Sequence, residues 1–460
     1  MTSLDPLYQT LPNGVWTKDA DGDLVVGTNA PTIGDWARFT VYASRIRELS
    51  FAYDTSALRP ALLKLVMRLL PSLPRPPPPR LQALRIAHGY TEMEITLCLT
   101  ALVHPKLRVL DIVWPSPEVG ASMLSIMQLS CPSIRALVLG KANGLLPMVA
   151  RFTQLQKLVC DDPDTTLDMR TLMVLARLPH LRHLSITSEF TSSSFTKTTE
   201  ENIDNFFPSL KEIIFENVTG VLAVADFLCV IKLRSLRSLS LKYTLSGKPK
   251  KEMRALVYSI ALHADLIALS LCSQEPASEE ITEREVLGLG TLTHLRKVYL
   301  TDVLSCATRE CFSKPLLLSW AKVQSIHFDC ALWRQGNRGV IPALGFLETI
   351  IKDCPQLTDL RIALATIQIP RPRNANDRAR ERRFNPLRLT VPLPSSTFDS
   401  QLDPYDLAEY LSDICPGIEI VCEGGRNIQY PHARDKWAEV NRWIARLNAV
   451  RDAERRRIEQ

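Results

Sequence analysis

The chain has 460 residues, 46% of them hydrophobic and 23% charged, with a formal net charge of +6. That composition can bury a continuous core, no apolar run reaches the ~18 residues of a membrane span, and Met1-Thr-Ser-Leu-Asp-Pro6 lacks the basic and apolar regions of a secretory leader. A cytosolic or nuclear protein with no membrane partner is expected.

In chain order, Thr32-Ile-Gly-Asp35 followed by Trp36, Phe39, Tyr42 and Ala43 predicts a capping helix. A six-residue pattern, apolar-x-x-apolar-x-apolar, then recurs twelve times at spacings of 21 to 35 residues. Its copies begin at Ile46, Leu81, Leu107, Ile134, Leu155, Leu181, Leu210, Leu236, Leu266, Leu295, Val323 and Leu357. Apolar residues two apart on so short a run predict a strand with one buried face. Helix signals fill the gaps. Thr91-Glu-Met-Glu94 and Thr282-Glu-Arg-Glu285 read as capping boxes, and Pro342 and Pro404 stand where a first helical residue is expected. Arg68-x-x-Pro71-x-x-Pro74 matches one orientation of an SH3 ligand, but Pro71–Arg80 is better read as a stiff polyproline loop. Asp161, Asp162 and Asp164 predict a turn, and Ser188–Thr199 a disordered Ser/Thr-rich insertion open to phosphorylation.

After Leu357 the pattern weakens, leaving Leu387–Val391 and Ile418–Val421 as the expected last strands. The tail from Ala433 to Glu459 places Trp437, Val440, Ile444, Leu447 and Val450 on one helical stripe. Such a stripe predicts docking on the last repeat, with a partner-binding helix as the alternative. Eleven cysteines are scattered and odd in number, and Cys131, Cys354 and Cys415 each precede a proline ahead of a strand. They are expected to be small buried apolar residues in a reducing compartment, where the sequon Asn217-Val-Thr219 is not glycosylated.

One strand and one connecting segment per copy cannot bury a core alone, so the copies must stack. The expected fold class is α/β, a leucine-rich-repeat solenoid of about 12 to 14 repeats with a curved parallel sheet inside and helices outside. The position three after each last aliphatic never holds the asparagine of the standard repeat, so irregular loops are expected. The expected division is an N-terminal capping segment over 1–45, the solenoid over 46–430 and an amphipathic helix over 431–460.

Partner-binding residues are expected on the strand positions that flank the inward aliphatics. In the first half these are small or apolar: Ala83, Val109, Val113, Ala136, Val138 and Val159. In the second half they turn polar with both signs, at His183, Glu212, Glu216, Lys242, Lys297, Tyr299, His327, Asp329, Asp359 and Arg361. Mixed charge with an aromatic and a bordering apolar patch suits a protein partner on the concave face better than a polyanion. The first variable strand position is Lys or Arg in seven copies, from Arg47 to Arg296, a row expected at the rim with its stems over neighbouring aliphatics.

Charge is unevenly spread. Pro370–Asn385 holds six arginines against Asp377 and Glu381, and the tail from Pro431 has eight bases against five acids. Removing that +4 and +3 from +6 leaves the body at −1, so nucleic acid is a disfavoured partner. The Arg-rich loop reads as a solvated insertion, with nuclear targeting or weak nucleic-acid or phospholipid binding as alternatives. No catalytic motif is present, and no cofactor is expected. Cys306-x4-Cys311-x15-His327-x2-Cys330 has zinc-like spacing, but His327 and the cysteines fall on different elements, so no metal is expected.

Leu4-Asp-Pro-Leu-Tyr-Gln-Thr-Leu-Pro-Asn-Gly-Val-Trp16, the stretch Asp35–Leu49 and the repeats resemble the F-box and leucine-rich-repeat proteins of mushroom-forming fungi. The resemblance implies a non-enzymatic substrate-recognition region of an F-box ubiquitin-ligase receptor. Because Asn13-Gly14 and Asp19–Asp23 are turn signals, no F-box is expected within this chain, and the ligase adaptor is expected as a partner only if a box lies upstream.

Overall fold

The computed structural model describes residues 16–18, 24–26, 41, 45–51, 80–87, 89–190, 206–231, 233–245, 248–274, 286–303, 314–329, 344–362, 364–366, 369, 386–392, 397–398, 402–423 and 431–459. Several expectations lie outside these residues: nearly all of the Thr32–Ala43 helix, the polyproline stretch over 71–79, the Thr282 capping box, Pro342, the Arg-rich loop over 370–385, and Cys306, Cys311 and Cys330.

Every copy of the six-residue pattern forms a strand. These are β1 (Glu48–Phe51), β2 (Ala83–Ile86), β3 (Val109–Val113), β4 (Ala136–Gly140), β5 (Lys157–Leu167), β6 (His183–Phe190), β7 (Glu212–Val218), β8 (Ser238–Tyr243), β9 (Ala268–Ser273), β10 (Lys297–Thr301), β11 (Ser325–Asp329) and β12 (Asp359–Arg361). The two weaker copies add β13 (Arg388–Pro392) and β14 (Glu419–Glu423). They form one fourteen-stranded parallel sheet in chain order, as where β3 pairs with β4 and β8 with β9. The chain is an α/β leucine-rich-repeat solenoid. Its residues fall into two compact units that divide within β7, between Ile214 and Phe215.

Alternation decides what each strand buries. In β3, Leu110 and Ile112 are wholly buried, and in β8 Leu239 is 1% exposed, while the residues between them stay half-buried or exposed. Helices cover the aliphatic face, as where Phe215 of β7 meets Phe227 edge to face at 6.0 Å. The register is held at strand entry chiefly by the main chain, to which the Thr358 hydroxyl adds one bond on the Gln324 carbonyl at 3.1 Å. The Arg108 carbonyl accepts the amides of Arg135 and Ala136, the Arg135 carbonyl those of Gln156 and Lys157, and the Gln156 carbonyl those of Arg182 and His183. The second unit repeats this, with Arg237 accepting from Ile267 and Ala268, and Arg296 from Gln324 and Ser325.

The helices of the described residues are α1 (Glu92–Leu102), α2 (Pro117–Ser130), α3 (Leu146–Val149), α4 (Met169–Leu175), α5 (Val221–Val230), α6 (Pro249–Ala261), α7 (Lys314–Ser319), α8 (Leu344–Asp353), α9 (Pro404–Ile414) and α10 (Pro431–Glu459). Their starts follow the sequence signals. Thr91 and Glu94 close the expected capping box on α1, and Asp403 caps α9 with Pro404 at its first position. Cys131, Cys354 and Cys415 are wholly buried just past α2, α8 and α9, and the Cys131 thiol donates to the His104 carbonyl at 3.1 Å. The expectation of buried cysteines fails at Cys229, which is exposed, and at Cys272 and Cys422, which are half-buried.

Two further expectations are corrected. Asp161, Asp162 and Asp164 lie within β5, whose pairing with β6 passes through an irregularity between Asp161 and Thr166. Asp162 is 6% exposed and its carboxylate accepts the Asp164 amide at 3.2 Å and the Thr165 hydroxyl at 2.7 Å, satisfying locally what the ladder leaves open. Ser188, placed by composition in a disordered insertion, belongs to β6, which runs to Phe190.

In the second unit α10 lays Trp437, Val440 and Ile444, each at most 2% exposed, into the interior. Tyr405 of α9 meets Trp443 edge to face at 5.2 Å, and Arg451 donates to the Ser412 carbonyl at 2.8 Å. The stripe leaves the protein beyond that point, since Val450 is 57% exposed. No helix of the described residues is long and apolar enough to cross a membrane.

Candidate functional site

Strand parity places the candidate residues on the sheet face opposite the helices, and the register brings five of them together in the second unit. Lys297, Ser325, Asp359, Arg388 and Glu419 stand side by side across β10 to β14, and Tyr299, His327, Arg361, Thr390 and Val421 form the next row. His327 Nε2 lies 2.7 Å from Asp359 Oδ2, which also accepts the Ser325 hydroxyl at 3.0 Å. The Tyr299 ring stands perpendicular to the His327 ring at 4.5 Å. Arg361 reaches both ways, to Glu423 at 2.9 Å and to Asp329 at 3.9 Å.

Each contact fixes a side chain that would otherwise rotate freely. The Arg361 side chain is 32% exposed and that of Asp329 only 16%, so this ion pair feels less solvent screening than a pair on an open surface. The cluster therefore presents an ordered aromatic ring, an Asp359 carboxylate whose Oδ2 is shared by His327 and Ser325, and a guanidinium already oriented.

The other five candidates are placed differently. His183 Nδ1 lies 2.6 Å from Glu212 Oε2, a separate pair on β6 and β7 in the first unit. Lys242 and Lys297 are exposed and Glu216 is half-buried, and none of the three meets a polar side chain among the described residues. Sequence reasoning missed Ser325 and Glu423. Ser325 is small but stands on a flanking strand position, and Glu423 lies in the weak last copy, where projecting the same parity would have found it.

The first unit's face is not purely small and apolar as expected. Val109, Val113, Ala136, Val138 and Val159 are half-buried on it, and a β-carbon on Gly140 would sit 2.8 Å from Val113 Cγ2, so the close approach requires glycine there. Charged residues interrupt these. Arg85 pairs with Glu48 at 3.1 Å, and burial raises the Asp111 carboxyl above its usual range, opposed by the charges of Arg85 and Lys157. The basic residues Arg47, Arg108, Arg135, Arg182, Lys211, Arg237 and Arg296 are all exposed at strand entry.

Among the described residues no group of three or more His, Cys, Asp or Glu side chains is placed to hold a metal ion. Burial raises the Cys98 thiol to about 12, which disfavours its nucleophilic thiolate.

No protein-family model matches the chain, and no curated protein does. Among solved structures, the chain is similar to a leucine-rich-repeat protein of Leptospira interrogans, at 13% identity and a TM-score of 0.39, covering 85% of this chain and 92% of that one. It is also similar to a chain of the mouse RP105/MD-1 complex, at 13% identity and a TM-score of 0.34, covering 82% of this chain but only 62% of that one. Both scores are low, and the fold assignment rests on the repeats and the parallel sheet.

Proposed function

We propose that this chain is a non-enzymatic protein-binding scaffold that takes its partner on the open sheet face of the second unit. The observation that carries this reading is the Tyr299, His327, Asp359 and Arg361 cluster, drawn from three adjacent strands and ordered by its own contacts. An aromatic edge and an oriented arginine are the residue types that dominate protein interfaces. The resemblance to F-box receptors supports the finer reading, a region that holds the substrate of a ubiquitin ligase. A free-standing interaction protein is the alternative.

The test is quantitative affinity capture with the wild type, the double variant Tyr299→Ala with Arg361→Ala, and the control Lys250→Glu with Lys251→Glu on α6. Partners retained by the control and lost by the double variant are expected. Equal capture by all three would remove the sheet face from the reading. Co-capture of the ligase adaptor favours the receptor, and partner capture without it favours the free-standing protein.

A further inference from the structure

The first unit separates its charges along the strand direction. Most acids lie away from the strand starts: Asp161, Asp162 and Asp164 stand in the middle of β5, and Glu92, Glu118 and Asp168 at the starts of the helices that follow β2, β3 and β5, while Glu48 and Glu212, which begin β1 and β7, are paired with Arg85 and His183. Bases gather where strands begin. The residues whose main chains form the entry ladder read Arg108, Arg135, Gln156, Arg182 and Lys211, with Lys106 in the turn before β3 and Arg151 just after α3. All of the cations in this set are exposed. None of Lys106, Arg108, Arg135, Arg151, Arg182 and Lys211 meets a carboxylate among the described residues, and the neighbouring Glu212 is held by His183.

Helix C-termini favour cations within about a turn, which accounts for Lys106 and Arg151. It does not call for Arg108, Arg135, Arg182 and Lys211, which stand at strand starts. Neighbouring strands are ~4.8 Å apart, so the four steps from Arg108 to Lys211 span roughly 19 Å, the reach of about six residues of extended peptide at ~3.3 Å each. Arginine, which dominates the row, pairs with carboxylates through two parallel N–H donors. The row contains no aromatic side chain on which bases could stack. As a single file it also matches one extended chain better than the two backbones of a duplex.

We infer that this strand-entry edge binds an acidic segment of a protein partner, an extended run rich in Asp and Glu. The inference rests on the protein-binding reading of the chain and adds a second contact, on a different surface from the Tyr299 cluster.

The test uses the full chain and a labelled oligo-glutamate peptide, followed by fluorescence anisotropy. Binding should weaken as salt rises, because exposed charges are screened. Reversing Arg108→Glu, Arg135→Glu and Arg182→Glu should weaken it by roughly tenfold or more, whereas Lys250→Glu with Lys251→Glu, or deletion of residues 370–385, should change it by less than about twofold. Gln156→Arg, which fills the gap in the row, should tighten it by roughly threefold and does not depend on a variant that tolerates three reversals. No peptide binding, equal loss in the control, no gain from Gln156→Arg, or displacement of the peptide by an equally charged duplex DNA at lower concentration would each overturn the inference. Peptide binding lost while partner capture through Tyr299 and Arg361 persists removes this edge alone. The reverse result removes the sheet-face reading and leaves the edge.

Discussion

The two units use one repeat to make surfaces of different character, the first mostly half-buried aliphatics with a few charged pairs, the second a polar network. On the first, β3 to β5 present half-buried Val109, Val113, Ala136, Val138 and Val159, and the Asp111 carboxyl among them is disfavoured as an anion by burial. On the second, β10 to β14 present polar groups that hold one another: His327 with Asp359, Arg361 with Asp329 and Glu423. The core beneath is the same in both, alternate aliphatics at nearly complete burial. The scaffold is thus indifferent to what its open face carries, and the difference between the faces is chemical rather than architectural.

The largest expected effects test the shared part of that comparison. Leu110→Ala and Leu239→Ala remove equivalent buried side chains from the two units, and each should cost about 2–5 kcal/mol. Hydrogen exchange should show each variant loosening its own unit most, as nearest-neighbour stacking requires. Uniform loosening would show that the two units melt as one.

Smaller effects test the difference. Arg361→Ala removes one ion-pair contact from each of two carboxylates, Asp329 and Glu423, and should lower stability by about 1 kcal/mol, a figure discounted for the exposure of Glu423. His183→Ala should cost less, about 0.5 kcal/mol, because it breaks one pair whose acid is 42% exposed. Chemical denaturation of both variants would show whether the second face is the more tightly tied.

The smallest effects are pH dependent and of opposite sign. Because folding raises the Asp111 pKa, its ionised form opposes folding at neutral pH, and the penalty fades as pH falls through the folded value towards 3.8. Asp111→Asn should therefore raise the melting temperature at neutral pH and lose that advantage in acid. His263, 6% exposed and bound to the Leu228 carbonyl, has a pKa lowered by burial despite that bond. Because folding lowers its pKa, its contribution is present above the unfolded value of 6.5 and lost as pH falls through the folded one. His263→Gln should flatten the fall in melting temperature on mild acidification, and an unchanged pH profile would place the acid sensitivity elsewhere.

Nearly all of the repeat architecture is legible in the sequence, because a stacked strand has to place an aliphatic side chain at fixed positions and little else can stand there. Composition misleads where local hydrogen bonding replaces the expected turn. Asp161-Asp-Pro-Asp164 reads as a loop, yet Asp162 supplies acceptors within the strand and the pairing of β5 with β6 resumes at Thr166. For the site, parity shows which residues face outward, and the candidates lie on that face. Their pairings are not legible: His327 and Asp359 are separated by 32 residues, a spacing set by the length of the intervening helix and loop. The same dependence hides Glu423, which meets Arg361 across β13.

In the first unit the ladder at strand entry is made by main-chain atoms, one carbonyl receiving two amides of the next repeat. Its geometry asks nothing of the side chain at that position except that it not be proline, which has no amide to donate. Registration of the stack and the chemistry of its edge are therefore independent inheritances. A run of arginines can be rewritten one repeat at a time without a refolding intermediate between the old surface and the new, while proline at Arg135 or Arg182 would shear the stack at that point.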